Sequence, residues 1–222
     1  MIKIFSLSIL ISLVTAYVIV KYQHLYKSYA HDNNKLEGKQ HIHIKTVPRI
    51  GGIALIAGIL ATQPPFWLVI AIQPIFIGGL LEDLTDNISP RSRLLLSFLS
   101  AAIAFYGLDI GLQQIGWAWF DSNILSFPII TLALTIVMIG GVSHSANIID
   151  GFNGLLLGFA LMVFSIFTWV VWQLGDQFLL LLLLATIGAL LGILLFNFPK
   201  GKIFVGDGGA YLVGFLMAIF SL

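Results

Sequence analysis

Long apolar runs recur from one end of this 222-residue chain to the other, and they fix its solvent before any motif is considered. About eight such stretches occur, at 2–21, 50–65, 67–81, 94–108, 125–146, 154–172, 178–196 and 208–222. A helix needs ~20 apolar residues to cross the ~30 Å hydrocarbon core of a bilayer, where no water satisfies a bare backbone. The balance of residues agrees, at 59% apolar and 9% charged, whereas a soluble domain is about a quarter charged. The expected fold class is all-α, a polytopic transmembrane helix bundle of about eight spans, forming one integral-membrane domain over 1–222. The second and third stretches are short and turn at Pro64-Pro65. The first has only Lys3 ahead of it and lacks a small-residue cleavage site, so it reads as a retained span and not a signal peptide. The last stops at Leu222 after about 15 residues, which predicts a sequence truncated at its C-terminus. The chain has no cysteine, which excludes disulfides, thiolate nucleophiles and Cys-based metal sites.

If the spans alternate, the loops fall into two sets. The first set is about 22–49, 82–93, 147–153 and 197–207. Of the 11 Lys and Arg residues, all but Lys3 lie in or beside it: Lys21, Lys27, Lys35, Lys39, Lys45, Arg49, Arg91, Arg93, Lys200 and Lys202. The positive-inside rule makes that set cytoplasmic. The 5 tryptophans, Trp67, Trp117, Trp119, Trp169 and Trp172, fall at the opposite face, where an interfacial aromatic belt belongs.

The cytoplasmic set also carries the chemistry. After the third stretch, Glu82, Asp83 and Asp86 crowd together ahead of Arg91 and Arg93. On a continuing helix Glu82 and Asp86 share a face with Asp83 beside them. Such a cluster suits a metal–phosphate site with arginines for the anion, and it equally suits a solvated turn whose acids cap a helix. The next turn, Asn147-Ile-Ile-Asp150-Gly151-Phe152-Asn153-Gly154, holds an acid beside hydrocarbon with no basic neighbour in the segment. An ionisable group there costs several kcal/mol and marks function by default. Asn147 and Asp150 stand one helical turn apart and can offer oxygens to one ion. In the third segment, Asn197-Phe-Pro-Lys200-Gly-Lys202-Ile-Phe204-Val-Gly206-Asp207-Gly208-Gly209, two lysines precede a glycine-flanked acid at the mouth of a span. An anion bound with a divalent cation needs such a set, although Asp207 could also cap the helix. His41 and His43 read as solvated histidines, and His144 as a polar helix-end residue. All the charged motifs share one membrane face, so the expectation is a Mg²⁺-assisted phosphate site at the cytoplasmic interface.

With Pro48-Arg49-Ile50-Gly51-Gly52, Glu82-Asp83-Leu84-Thr85-Asp86, Asn147 to Gly154 and Phe204-Val205-Gly206-Asp207 in this order, the chain resembles the polyprenyl-phosphate N-acetylhexosamine-1-phosphate transferases. The resemblance runs from about Lys45 to the end and is nearest to the branch that initiates cell-envelope glycans, such as O-antigen or capsule, on undecaprenyl phosphate. It implies transfer of a HexNAc-1-phosphate, GlcNAc-1-phosphate in this branch, from a UDP-sugar to the lipid phosphate, with release of UMP. It implies that Asn147 and Asp207 hold Mg²⁺ (or Mn²⁺), with Asp150 orienting the diphosphate. Asp83 with Glu82 would position or deprotonate the lipid phosphate, or Asp83 would be a nucleophile; Arg91 and Arg93 would hold that phosphate. Phe204 would stack on uracil, and Gly151, Phe152, Asn153 and Asn197 would line the nucleotide pocket. The implied partners are the UDP-sugar, the polyprenyl phosphate and the inner (plasma) membrane, with a homodimer left open and no nucleic acid. Two departures stand out. Glu82 replaces the family's usual first Asp, and the chain ends before the family's later spans with their His-rich sugar-reading loop. The alternatives are a catalytically inactive, shortened homologue and a membrane transporter; a transporter would place its polar residues nearer the bilayer midplane.

Overall fold

The computed structural model describes residues 1–25 and 47–222, so the readings of His41, His43 and the lysines between 26 and 46 lie outside the described residues. The apolar stretches become nine α-helices among the described residues: α1 (Ile2–Lys21), α2 (Gly52–Leu60), α3 (Phe66–Thr85), α4 (Pro90–Gly107), α5 (Ala118–Asn123), α6 (Pro128–Ile149), α7 (Leu155–Leu174), α8 (Gln177–Asn197) and α9 (Gly206–Phe220). The chain is a multi-pass helical membrane protein. Five helices, α1, α3, α6, α7 and α8, are long and apolar enough to cross a bilayer.

The other three of the eight expected stretches give shorter or more polar helices. The stretch 50–65 yields only the 9 residues of α2, about 13 Å of helix and under half the hydrocarbon thickness. Pro64 and Pro65 end it early, because the residue before a proline is pushed out of the helical region. Helix α4 has 18 residues but opens on Arg91 and Arg93, and α9 has 15.

Small residues let the helices approach. Gly188 and Gly192 of α8 lie under α1, where an added Cβ would meet Phe5 O at 2.8 Å and the Ser12 Cβ at 2.7 Å. Across the same seam Ser8 Oγ donates to Ala185 O at 2.6 Å and Ser12 Oγ to Ala189 O at 2.7 Å. Such contacts replace the hydrophobic drive that is missing between helices in lipid. Pro74 interrupts the hydrogen-bond ladder inside α3, and the amide beside it, Ile75 N, donates to Ser100 Oγ of α4 at 3.0 Å.

Helix α9 is the centre of the bundle. Every residue from Gly206 to Phe220 is buried, and α9 packs against α2, α3, α6 and α7 with a lighter contact to α4. Short turns reverse the chain between α3 and α4, and between α7 and α8. The C-termini of α3, α6 and α8 therefore meet the N-termini of α4, α7 and α9 at one end of the bundle. Trp67 lies at the other end, packed on Gly107. Trp117, Trp119, Trp169 and Trp172 are exposed there as well, where the aromatic belt was expected.

Candidate active site

The site grows from the first turn of α9. Gly206 adopts φ +75°, and a Cβ there would fall 1.8 Å from the Arg49 carbonyl oxygen and 2.6 Å from Asp83 Oδ2. Only glycine fits, and its turn aims Asp207 outward from the helix start. Gly208 and Gly209 meet glycines of the neighbouring helices: a Cβ on Gly79 would lie 2.5 Å from Gly208 N, and one on Gly52 2.5 Å from Gly209 N. The loop ahead of α9 is laced to the segment ahead of α2. Phe204 N donates to Pro48 O at 2.8 Å, Gly51 N to Phe204 O at 2.9 Å and Gly52 N to Val205 O at 2.8 Å.

Asp207 is the hub. Its Oδ1 accepts from Asn147 Nδ2 at 3.0 Å, and its Oδ2 accepts from Arg93 Nη1. Arg49 Nη2 lies 3.7 Å from Asp207 Oδ1 and 3.8 Å from Asp83 Oδ1. Asp150 follows directly on α6 and is half-buried, and its carboxyl makes no hydrogen bond among the described residues. Burial pushes that carboxyl up to about 7, the charge of Asp207 adds to the rise, and Arg49 draws it back. An acid held near its neutral form by desolvation and a like charge is a group that awaits a cation or a proton.

Several expected site residues serve the scaffold. Asp83 is enclosed. Its side chain is 1% exposed, with Oδ1 accepting from Asp207 N at 2.8 Å and Oδ2 from Gly208 N at 3.0 Å. It caps α9, where free amides and the helix dipole favour an anion. Glu82 turns the other way: its Oε2 accepts from Ile88 N at 2.7 Å, and its Oε1 lies 3.9 Å from Arg93 Nη2. Asp86 is exposed and left-handed at φ 51°, which closes α3. The structure does not gather the three carboxylates into one cluster, because the helix ends before the third. Asn197 is buried: Gly154 N donates to its Oδ1 at 2.6 Å, and its Nδ2 donates to Ile203 O at 2.9 Å. It ties the α6–α7 turn to the loop before α9.

The remaining residues surround the hub. Arg93 packs over Tyr211, with its guanidinium carbon 5.9 Å from the ring centre, and His144 meets the same ring at 4.8 Å between centroids. Arg91 is exposed on the first turn of α4 and makes no hydrogen bond or ion pair with the other site residues among those described. Phe152 is 65% exposed, and a Cβ on Gly151 would meet nothing within 4 Å. Asn153 packs on Gly201, and Phe204 is half-buried. Sequence reasoning missed Arg49 and Tyr211 as site residues. The signal for Arg49 was present, a cation two residues before a glycine pair at a helix mouth.

No group of three or more His, Asp or Glu close enough to hold a metal occurs among the described residues. The set on offer is the Asp207 and Asp150 carboxylates and the Asn147 amide oxygen. These are hard oxygen donors, and a Mg²⁺ that arrives on substrate phosphates needs only one or two protein carboxylates. The orphaned Asp150 carboxyl fits such an ion.

A helical membrane bundle with an acid–arginine centre at the tip of its innermost helix is the class defined so far. The family model of glycosyl transferase family 4 matches residues 65–222. The chain belongs to that family, the polyprenyl-phosphate N-acetylhexosamine-1-phosphate transferases. It is 28% identical over 193 residues to the "Probable undecaprenyl-phosphate N-acetylglucosaminyl 1-phosphate transferase" of Bacillus subtilis (strain 168), covering 82% of this chain and 52% of that protein. It is 31% identical over 214 residues to the phospho-N-acetylmuramoyl-pentapeptide-transferase of Oceanobacillus iheyensis, covering 84% of this chain and 64% of the relative. The chain thus spans between about half and two thirds of the length of these two curated relatives.

Proposed function

We propose that this protein transfers a HexNAc-1-phosphate, GlcNAc-1-phosphate by preference, from a UDP-sugar to undecaprenyl phosphate at the cytoplasmic face of the plasma membrane. The observation that carries the reading is the meeting of Asp207, Asn147, Asp150, Arg49 and Arg93, from four distant segments, at one tip of the bundle. Carboxylates interleaved with arginines suit a diphosphate and a second phosphate held against each other. The positive-inside bias supports the cytoplasmic side. The name of the Bacillus subtilis relative supports both the lipid carrier and the sugar phosphate, and that of the Oceanobacillus iheyensis relative supports a phospho-sugar transfer.

In this reading an oxygen of the lipid phosphate attacks the sugar-bearing phosphorus, the bond to the uridylyl phosphate breaks, and UMP leaves. Such transfers need mostly positioning and neutralised charge. Asp207 and Asn147, with Asp150, would hold Mg²⁺, which when bound supplies Lewis-acid neutralisation of the diphosphate. Arg91 at the rim of α4 is free to take the lipid phosphate, while Arg93 steadies Asp207. Gly151 leaves open space beside Phe152, and with Asn153 and Phe204 they form the nucleotide side. Incorporation of labelled UDP-N-acetylglucosamine into undecaprenyl lipid, with UMP release, tests the reading on membranes expressing the complete gene product. Absence of a product that depends on Mg²⁺ overturns it.

A direct attack is favoured over a covalent aspartyl-phosphate. The candidate nucleophile Asp83 is enclosed, and both of its oxygens are bound to backbone amides. Asp83→Asn sets an NH₂ against an amide N–H and is expected to weaken UDP binding as well as turnover, each about tenfold or more. A variant that binds UDP like the wild type but has lost all turnover would favour the covalent route.

A further inference from the structure

Arg49 stands where every acid of the site can feel it. Its Nη2 is 3.8 Å from Asp83 Oδ1 and 3.7 Å from Asp207 Oδ1, and its charge reaches Asp150. Both distances exceed the ~2.7–3.2 Å of a hydrogen bond. The guanidinium donates no hydrogen bond among the described residues, in contrast to Arg93, which donates to Asp207. The side chain of Arg49 is 31% exposed, against 1% for Asp83 and 12% for Asp207. Its backbone is fixed, because the residues on either side are laced to the loop before α9. The result is an anchored arginine with unused donors, half open to the outside, over two buried carboxylates. A guanidinium fork with free N–H groups matches a phosphate in two-point geometry.

We propose that Arg49 is a binding residue for the diphosphate of the nucleotide and competes with a divalent cation for Asp207 Oδ1. This deepens the transferase reading and rests on it for the diphosphate. The competition with a cation rests on the geometry alone. Arg49 shares the neutralisation of the Asp83–Asp207 pair with Arg93, which is bound to the other oxygen of Asp207. A metal presented without phosphates meets that positive charge and is opposed. A metal presented on a diphosphate gives Arg49 a second anion to turn to, so the two bind together.

The test uses the complete gene product in detergent, with Mn²⁺ alone followed by electron paramagnetic resonance and UDP with Mg²⁺ followed by calorimetry. Arg49→Gln is expected to tighten Mn²⁺ by about tenfold, since a unit charge a few ångströms away is removed. The same variant is expected to bind UDP about tenfold or more weakly. Arg49→Lys keeps the charge but loses the fork, so Mn²⁺ affinity should stay near wild type while UDP affinity falls. Unchanged or weaker Mn²⁺ binding in a folded Arg49→Gln protein overturns the competition, and undiminished UDP binding in both variants overturns the diphosphate contact. Should Arg49→Gln fail to fold, Arg49→Lys decides alone: equal UDP affinity sinks the proposal. A wild type that binds Mn²⁺ but not UDP defeats the transferase reading and the diphosphate contact, whereas tighter Mn²⁺ binding in Arg49→Gln would still uphold the competition. A folded wild type that binds neither overturns both.

Discussion

Asp207→Asn is expected to lower turnover by about a thousandfold or more, because in the proposed reading this carboxylate would hold the cation that neutralises the reacting phosphates. The fold should survive the change. Asp83 holds the start of α9 through the backbone amides of residues 207 and 208, not through the Asp207 side chain. An asparagine oxygen can still accept from Asn147 or Arg93, so the local packing keeps one of its ties. The measurement is lipid-linked product formation beside thermal unfolding of the purified protein in detergent. Wild-type rates in Asp207→Asn would place the charged centre elsewhere and undo the assignment of the hub.

The second large effect is structural. Gly206→Ala puts a Cβ into the Arg49 carbonyl oxygen, at 1.8 Å in the unrelaxed geometry, at a backbone φ of +75°. Left-handed strain alone costs about 1–2 kcal/mol. The clash is with backbone on one side and the buried Asp83 carboxylate on the other, neither of which can swing aside. A total near 3 kcal/mol or more is expected, about a 10 °C fall in Tm for a domain of this size. Gly141→Ala in α6 is the control, since its Cβ would meet nothing within 4 Å and should shift stability by under about 0.5 kcal/mol. Equal melting of the two variants would mean that the turn before α9 is softer than its contacts indicate.

Which parts of this molecule were legible in the chain, and which were not, follows from the range of the interactions. Periodicity is irrelevant to a helix that faces lipid, but length and apolarity are visible locally, so α1, α6, α7 and α8 could be read directly. The basic bias and the tryptophans located the site end for the same reason. Asp207 and Asn147 were also readable, as polar groups at helix mouths between apolar spans. Both readings of the carboxylate run stayed open in the chain, because an i, i+4 face exists only if the helix continues, and α3 closes with Asp86 in a left-handed cap. The backbone partners of Asp83 and Asn197, the amides of residues 207 and 208 for one and Gly154 N with Ile203 O for the other, are visible in no local pattern. Arg49 was overlooked for a related reason. Its role depends on the pairing of residues 48–52 with 204–205, segments more than 150 positions apart, and no local pattern reports such a pairing.

The enclosure of α9 has one more consequence. A helix that touches lipid sets its height by matching its apolar length to the bilayer, and it tilts when the membrane thickens or thins. Helix α9 is wrapped by protein along all 15 of its residues, and glycine-to-glycine contacts with α2 and α3 pin its first turn. The depth of Asp207 is thus referenced to its neighbouring helices and not to the acyl chains. The outer helices can adjust to a membrane of changing thickness while the charged tip stays in register with Asn147, Arg49 and Arg93, as a bearing holds a shaft while its housing flexes.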